Sequence, residues 1–213
     1  MVPKEYYGRL FTKEQLPVNY HPEALTLESM IKVDKQLRCK RCYSQIEEDW
    51  QLPEGQYYCR ACIVFGRNQE GKELYYFPSK TSEIEFPVLK WLGELTPYQA
   101  EVSEKLLETY QKQKDSLVHA VTGAGKTEMI YNIVAYVLEN KGHVAIASPR
   151  VDVCRELFLR MKRDFTCSIS LLHAESEPYD GSPLVIATTH QLLKFYQNFD
   201  LVIVDEVDAF PFV

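Results

Sequence analysis

The chain has 213 residues, enough for one or two domains, and its 46% hydrophobic content supports an ordinary globular core. No apolar run reaches membrane-spanning length, and the opening MVPKEYYGRLF lacks the apolar segment of a signal peptide, so the expectation is an intracellular protein without a transmembrane segment. A formal net charge of −6 argues against wrapping duplex DNA through bulk electrostatics and leaves room for a local basic groove.

Residues 1–36 read as an N-terminal arm. Tyr6 to Phe11 is aromatic, suited to a short strand or a docking segment, and Asn19 to Pro22 reads as a turn. Between Glu23 and Lys35, Leu25, Leu27, Met30, Ile31 and Val33 make a weak helical pattern.

Residues 37–66 carry Cys39-x2-Cys42 and Cys59-x2-Cys62, sixteen residues apart, a spacing found in two-knuckle zinc sites. Two such pairs supply a closed tetrahedral thiolate shell, so the predicted Zn²⁺ is structural. Disulfides are the alternative in an oxidising compartment, and iron also takes four thiolates. A hairpin turning at Pro53-Glu54-Gly55 is expected between the pairs. Arg38, Lys40, Arg41 and Arg60 are interleaved with Tyr43, Trp50, Tyr57 and Tyr58. That pattern suits a single-stranded nucleic acid, or equally a small aromatic core under a solvated cationic loop. Residues 67–93 read as a β-rich connector, with short strands at Leu74–Phe77 and Phe86–Leu89.

Residues 94–213 have the α/β alternation of a nucleotide-binding lobe with a mainly parallel sheet. Thr96-Pro97 is a helix start, and Val102, Leu106 and Tyr110 continue at helical spacing. The apolar run Leu117 to Val121 predicts a strand leading into Ala120-Val121-Thr122-Gly123-Ala124-Gly125-Lys126-Thr127 and a helix. In that context the backbone N–H groups of Thr122, Gly123, Ala124 and Gly125 can cradle the phosphates of ATP. Lys126 can reach the β- and γ-phosphates, and the Thr127 hydroxyl can sit on Mg²⁺. Strands are expected at His143–Ala147, Ser168–Leu172, Leu184–Ala187 and, fully buried, Leu201–Val204. Helices follow at Val151–Asp164 and from Thr189 to Tyr196. Asp205-Glu206-Val207-Asp208 closes the last strand, placing Asp205 to hold Mg²⁺ and Glu206 to polarise the attacking water. His173 and His190 read as loop or capping residues.

The phosphate loop begins with Ala120 where glycine is usual, and this variant resembles that of superfamily 2 helicases and translocases, whose lobes are RecA-like. Gln99 resembles that superfamily's adenine-contacting glutamine, and Arg150, Thr188 and Thr189 resemble its DNA-gripping strand-exit residues. With GRLF, the four cysteines, LTPYQ, HAVTGAGKTEMIY, ASPRVDVC, ATTHQLLKFY and IVDEVDAFP, nearly the whole chain resembles the ComFA family. That resemblance implies an ATP-dependent motor on single-stranded DNA, acting in competence on the cytoplasmic side of the membrane near the uptake channel. It implies other competence proteins as partners, with an oligomer possible. Motors of this superfamily use two lobes, and the chain ends five residues after Asp208, so the expectation is nucleotide and DNA binding without efficient turnover. A primosome-type replication-restart helicase fragment and a non-motor zinc adaptor with a vestigial nucleotide lobe are the alternatives.

Overall fold

The structure is a computed structural model that describes residues 2–80, 84–121 and 123–207, the side chains of Val18 and His21 apart. The chain divides into two compact units: residues 1–80 with 189–198, and residues 81–188 with 199–213.

In the first unit, strands β1 (Leu10–Thr12) and β2 (Leu25–Glu28) precede a hairpin of β3 (Met30–Val33) and β4 (Gln36–Cys39), and β5 (Glu73–Tyr76) follows the cysteine segment. β5 is the centre of an antiparallel sheet in the order β1-β5-β2. Successive strand residues face opposite sides. Tyr75 accordingly packs with Phe11, Leu16 and Phe77, while Leu74 and Tyr76 pack with Leu10. The 23–35 stretch is therefore two strands, not the helix its spacing suggested. Leu25 and Leu27 alternate along β2, and Ser29 breaks the run before β3. Asp34 and Lys35, at φ 49° and 67°, form the tight turn between β3 and β4, the conformation two-residue hairpins favour.

Residues 189–198 complete this unit. The Leu10 amide donates to the Lys194 carbonyl at 2.9 Å, and the Tyr196 amide to that of Gly8 at 2.8 Å. Tyr196 also meets Tyr76 edge-on at 5.2 Å.

The second unit holds Val88 in its core and then helix α1 (Pro97–Gln111); the strand expected at Phe86–Leu89 is only an isolated bridge from Leu89 to Phe165. Helices α2 (Lys126–Met129) and α3 (Tyr131–Glu139), strand β6 (Val144–Ser148), helix α4 (Val151–Asp164), strand β7 (Ile169–Leu172) and strand β8 (Leu184–Thr188) follow. Beyond β8 the one-turn helix α5 (Thr189–Leu192) belongs to the first unit, and the chain returns as β9 (Leu201–Val204). The predicted helix to Tyr196 thus stops at Leu192, because the next residues pair with β1 instead of continuing a helix.

β6 to β9 form one parallel sheet in the order β7-β8-β6-β9. β6 and β8 are buried throughout, as the mainly apolar strands of a two-sided parallel sheet require. Val134, Val137 and Leu138 of α3 and Leu157 and Met161 of α4 pack with them in a single core. Trp91, Tyr131 and Phe165 add edge-to-face ring contacts at 5.5 and 5.3 Å. Below the rings, the Tyr131 hydroxyl donates to Asp164 Oδ2 at 2.6 Å, and Arg163 donates to both oxygens of that buried carboxylate at 2.8 Å.

Two further strand expectations change. β9 lies at the sheet edge, so Leu201 and Ile203 pack inward while Val202 and Val204 stay 49% and 43% exposed. Leu117 to Val121 forms no strand; it pairs with no described strand, and Leu117 and Val121 are 84% and 76% exposed. An apolar run becomes a strand only where a neighbour offers its N–H and C=O groups.

Candidate nucleotide site and cysteine cluster

The loop before α2 turns on glycine. Gly123 and Gly125 stand at φ 81° and 76°, in the left-handed region that other residues enter at a cost. A Cβ at Gly123 would meet nothing within 4 Å, so the space above the loop is open. A Cβ at Gly125 would lie 2.3 Å from Gln99 Nε2. Lys126, exposed, opens α2 directly after this turn, with Thr127 next. Open space over glycine-turned backbone, with a lysine and a hydroxyl at the helix start, fits a polyphosphate and its Mg²⁺. Thr122 lies outside the described residues.

Gln99 has a structural duty at this loop. Its backbone N–H bonds the Thr96 hydroxyl at 3.4 Å, its Oε1 accepts from the Thr96 amide at 2.8 Å, and its Nε2 donates to the Ala124 carbonyl at 2.9 Å. The first two bonds form a capping box at the start of α1. The third ties α1 to the phosphate loop. The side chain expected at adenine thus already holds the loop in place.

The second half of the site lies at the carboxyl ends of the parallel strands. Ser148 pairs in register with Thr188, and Ala147 with Val204, so β6, β8 and β9 end level. The Asp205 amide donates to the Ala147 carbonyl at 2.8 Å, extending β9 by one bond. Asp205 Oδ1 accepts from the Glu206 amide at 2.9 Å, and Glu206 takes φ 52°. That turn brings Glu206 within 3.5 Å of the Ser148 hydroxyl and 3.9 Å of Arg150 Nη1. Arg150 also pairs with Asp152 at 2.5 Å, and this bond holds its guanidinium firmly charged, above the ordinary value.

Arg150, Thr188, Asp205 and Glu206 therefore share one sheet edge. Thr189 begins α5 in the other unit, and Asp208 lies outside the described residues. No hydrogen bond or ion pair joins Lys126 to Asp205 or Glu206 among the described residues. Sequence reasoning gave no role to Ser148, whose hydroxyl meets Glu206 at this edge. It also missed the Arg160–Glu128 pair at 3.6 Å that links α4 to α2, since a pair between two helices leaves no motif.

The cysteines converge as their spacing predicted. The Sγ atoms of Cys39, Cys42, Cys59 and Cys62 lie within 4.8 Å of one another, and all six cysteines of the chain are free thiols. Cys39 and Cys62 are 3.7 Å apart, and Cys42 and Cys59 3.5 Å. Sulfurs about 2.3 Å from a central zinc in tetrahedral array would be about 3.8 Å apart, so the pocket fits the ion and not a disulfide pair. Hydrogen bonds from Cys39, then Cys59 and Cys62, push the Cys42 thiol far below its usual range, while sharing with Cys39 and Cys42 pushes Cys62 up. Four sulfurs this close cannot all ionise without a cation among them.

Asn68, buried, donates to Cys39 Sγ at 3.1 Å and to the Ser29 carbonyl at 2.7 Å, the kind of outer contact that orients a metal ligand. Knuckle turns close behind each pair, with the Tyr43 amide on the Cys39 carbonyl at 2.8 Å and the Phe65 amide on that of Cys62 at 3.1 Å. The surrounding cations divide. Arg60 pairs with Asp49 at 3.0 Å at the surface, and the half-buried Arg38 lies over the Tyr43 ring at 5.2 Å. Arg41 is buried.

Residues 92–211 match the model of the family described as type III restriction enzyme, res subunit. The chain belongs to this family. Identity to the competence protein ComFA of Streptococcus pneumoniae is 57% over 212 residues, 98% of this chain and 48% of the relative. ComFA of Bacillus subtilis is 35% identical over 210 residues, 95% of this chain and 45% of the relative. The replication restart protein PriA of Helicobacter pylori is 27% identical over 117 residues, covering 50% of this chain and 19% of that protein. The ComFA relationship extends through the cysteine unit, as the motifs implied, and the chain spans about half the length of these ComFA relatives. Among the described residues, no helix is long and apolar enough to cross a membrane.

Proposed function

We propose that this chain is the zinc-bearing, nucleotide-binding part of an ATP-dependent translocase on single-stranded DNA, serving uptake of transforming DNA in competence. The observation that carries the reading is the ComFA-like sequence running unbroken through both the cysteine unit and the phosphate-loop lobe. Lys126 would neutralise the β- and γ-phosphates, and Thr127 and Asp205 would hold Mg²⁺, which supplies charge compensation at the transferring group. Glu206, already turned toward Ser148, would orient water. Arg150, Thr188 and Thr189 would meet the strand's phosphates, which requires Arg150 to exchange Asp152 for the ligand. Zn²⁺ would fill the four-cysteine pocket and serve the fold only.

Other competence proteins at the inner face of the cell membrane are the proposed partners. Motors of this kind complete their site with arginines from a second lobe. The described residues contain one parallel sheet, so this chain alone is proposed to bind ATP with little turnover and no translocation.

The test is ATP binding and hydrolysis by the purified chain, with and without single-stranded DNA, beside Lys126→Ala. Nucleotide binding lost in the variant, with slow turnover in the parent, is expected. Turnover as fast as that of an intact two-lobe motor would defeat the half-motor reading. Nucleotide binding unchanged by Lys126→Ala would defeat the site itself.

A further inference from the structure

A cavity of about 360 Å³ opens in the first unit, well away in sequence from the phosphate loop. Three cations line it: Arg9 beside β1, Arg41 between the first two cysteines, and Lys194 after α5. Gln15, Gln191 and the apolar Leu10, Phe11, Val64 and Phe65 complete the wall, and no described carboxylate lines it.

Arg41 is the unusual member. It is 93% buried (7% exposed), and its Nη1 caps the second knuckle by donating to the Phe65 and Gly66 carbonyls at 2.9 and 2.8 Å. Its Nε and Nη2 are buried without a hydrogen-bond partner, and it forms no ion pair among the described residues. A buried guanidinium lacking both an anion and donors' partners is costly, and folds retain one where a negative group completes it. Lys194 repeats the pattern. Its ammonium lies 5.6 Å from the Phe65 ring centroid, without a carboxylate among the described residues. Burial, with the charge of Arg9 added, pulls its pKa below the ordinary lysine range. Arg9 donates to the Glu5 carbonyl at 3.1 Å and lies 5.2 Å from the Phe11 ring, which holds its charge at the mouth.

We propose that this cavity is a binding site for a phosphate group, with Lys194 and Arg9 meeting the oxygens and Arg41 supplying charge from the floor. Two sources share that chemistry: a backbone phosphodiester of single-stranded DNA, and a free phosphate. The first rests on the function proposed above, since a chain that tracks a strand needs contacts off the motor lobe; the second does not.

The full zinc-loaded chain is titrated with inorganic phosphate by calorimetry and with a labelled oligothymidylate by anisotropy across a salt series, next to Lys194→Gln and Arg41→Lys. Zinc content and circular dichroism establish that the variants are folded; Lys194→Gln keeps the proposal testable if Arg41→Lys loses its knuckle cap. The expected result is phosphate binding that weakens at least several-fold in Lys194→Gln. Strand affinity should fall with it, and the slope of log K against log salt should drop by about 0.7 for the lost contact. Phosphate binding that depends on Lys194 while strand binding does not would keep the site and assign it to free phosphate. If phosphate does not bind, and strand affinity and its salt slope are the same in parent and Lys194→Gln, the proposal is overturned. A parent chain that binds no strand at all would remove the translocase reading and leave the phosphate result standing.

Discussion

The two units stabilise themselves by different means. The lobe of residues 81–188 and 199–213 has one continuous apolar core in which β6, β8, α3 and α4 all share. Among the described residues, the unit of residues 1–80 and 189–198 shows separate small clusters, one of them built around the cysteines themselves. A core of the first kind is close-packed and withstands loss of any single partner in proportion to the atoms removed. Clusters of the second kind are each too small to hold a chain alone, so the unit depends on a cross-link. The difference teaches that the parallel-sheet lobe and the cysteine unit fail under different insults.

Metal removal should separate them most sharply. Chelation, or Cys39→Ser, should abolish the first unit's fold, since structural zinc contributes on the order of 10 kcal/mol in small sites. Calorimetry should then show the lobe's transition near its original temperature. One merged transition that collapses with the metal would erase the contrast. Ile186→Ala, at a position with no exposed surface, tests the other side. It should cost the lobe about 2–5 kcal/mol and leave zinc content unchanged.

A smaller effect comes from the carboxylate buried in the lobe. Arg163, then the Tyr131 hydroxyl, hold Asp164 below its ordinary pKa. A lowered folded pKa stabilises the fold fully above the unfolded value of about 3.9, and that stabilisation disappears as pH falls through the folded value. Acid titration should therefore unfold the lobe in a window below about pH 4, and Asp164→Asn should flatten that dependence. An unchanged acid profile would show that Asp164 does not control it. Thr96→Ala should cost about 1 kcal/mol through the lost cap of α1, measured by urea denaturation. Smallest of all, Lys126→Ala should leave stability within about 0.5 kcal/mol, since the side chain is exposed, while removing nucleotide binding.

The motifs were legible because their chemistry is local. Gly123 to Thr127, the two cysteine pairs and Asp205-Glu206 each announce themselves within a few residues. β6 and β8 were equally plain, since a short, nearly continuous apolar run bounded by turns has few other uses. What escaped was set by partners distant in the chain. Leu117 to Val121 has a strand's composition and no described neighbour to pair with. Leu25 to Val33 mixes two short alternating runs that together mimic a helical period. Lys194 to Tyr196 joins a strand some 180 residues upstream, and nothing near it in sequence says so. Arg41 looked like its neighbours Arg38 and Lys40, and only packing separates the buried cation from the half-buried ones.

The return of residues 189–198 to the first unit bears on synthesis. A ribosome delivers residues 1–80 long before it delivers Phe195 and Tyr196. The early segment must wait, with β1 lacking its last partner, until residues 189–198 have emerged. Nascent chains stalled before residue 189 should be cut readily by protease between Gly8 and Thr12, and chains released beyond residue 198 should resist. Equal resistance in both would mean that the early segment closes unaided.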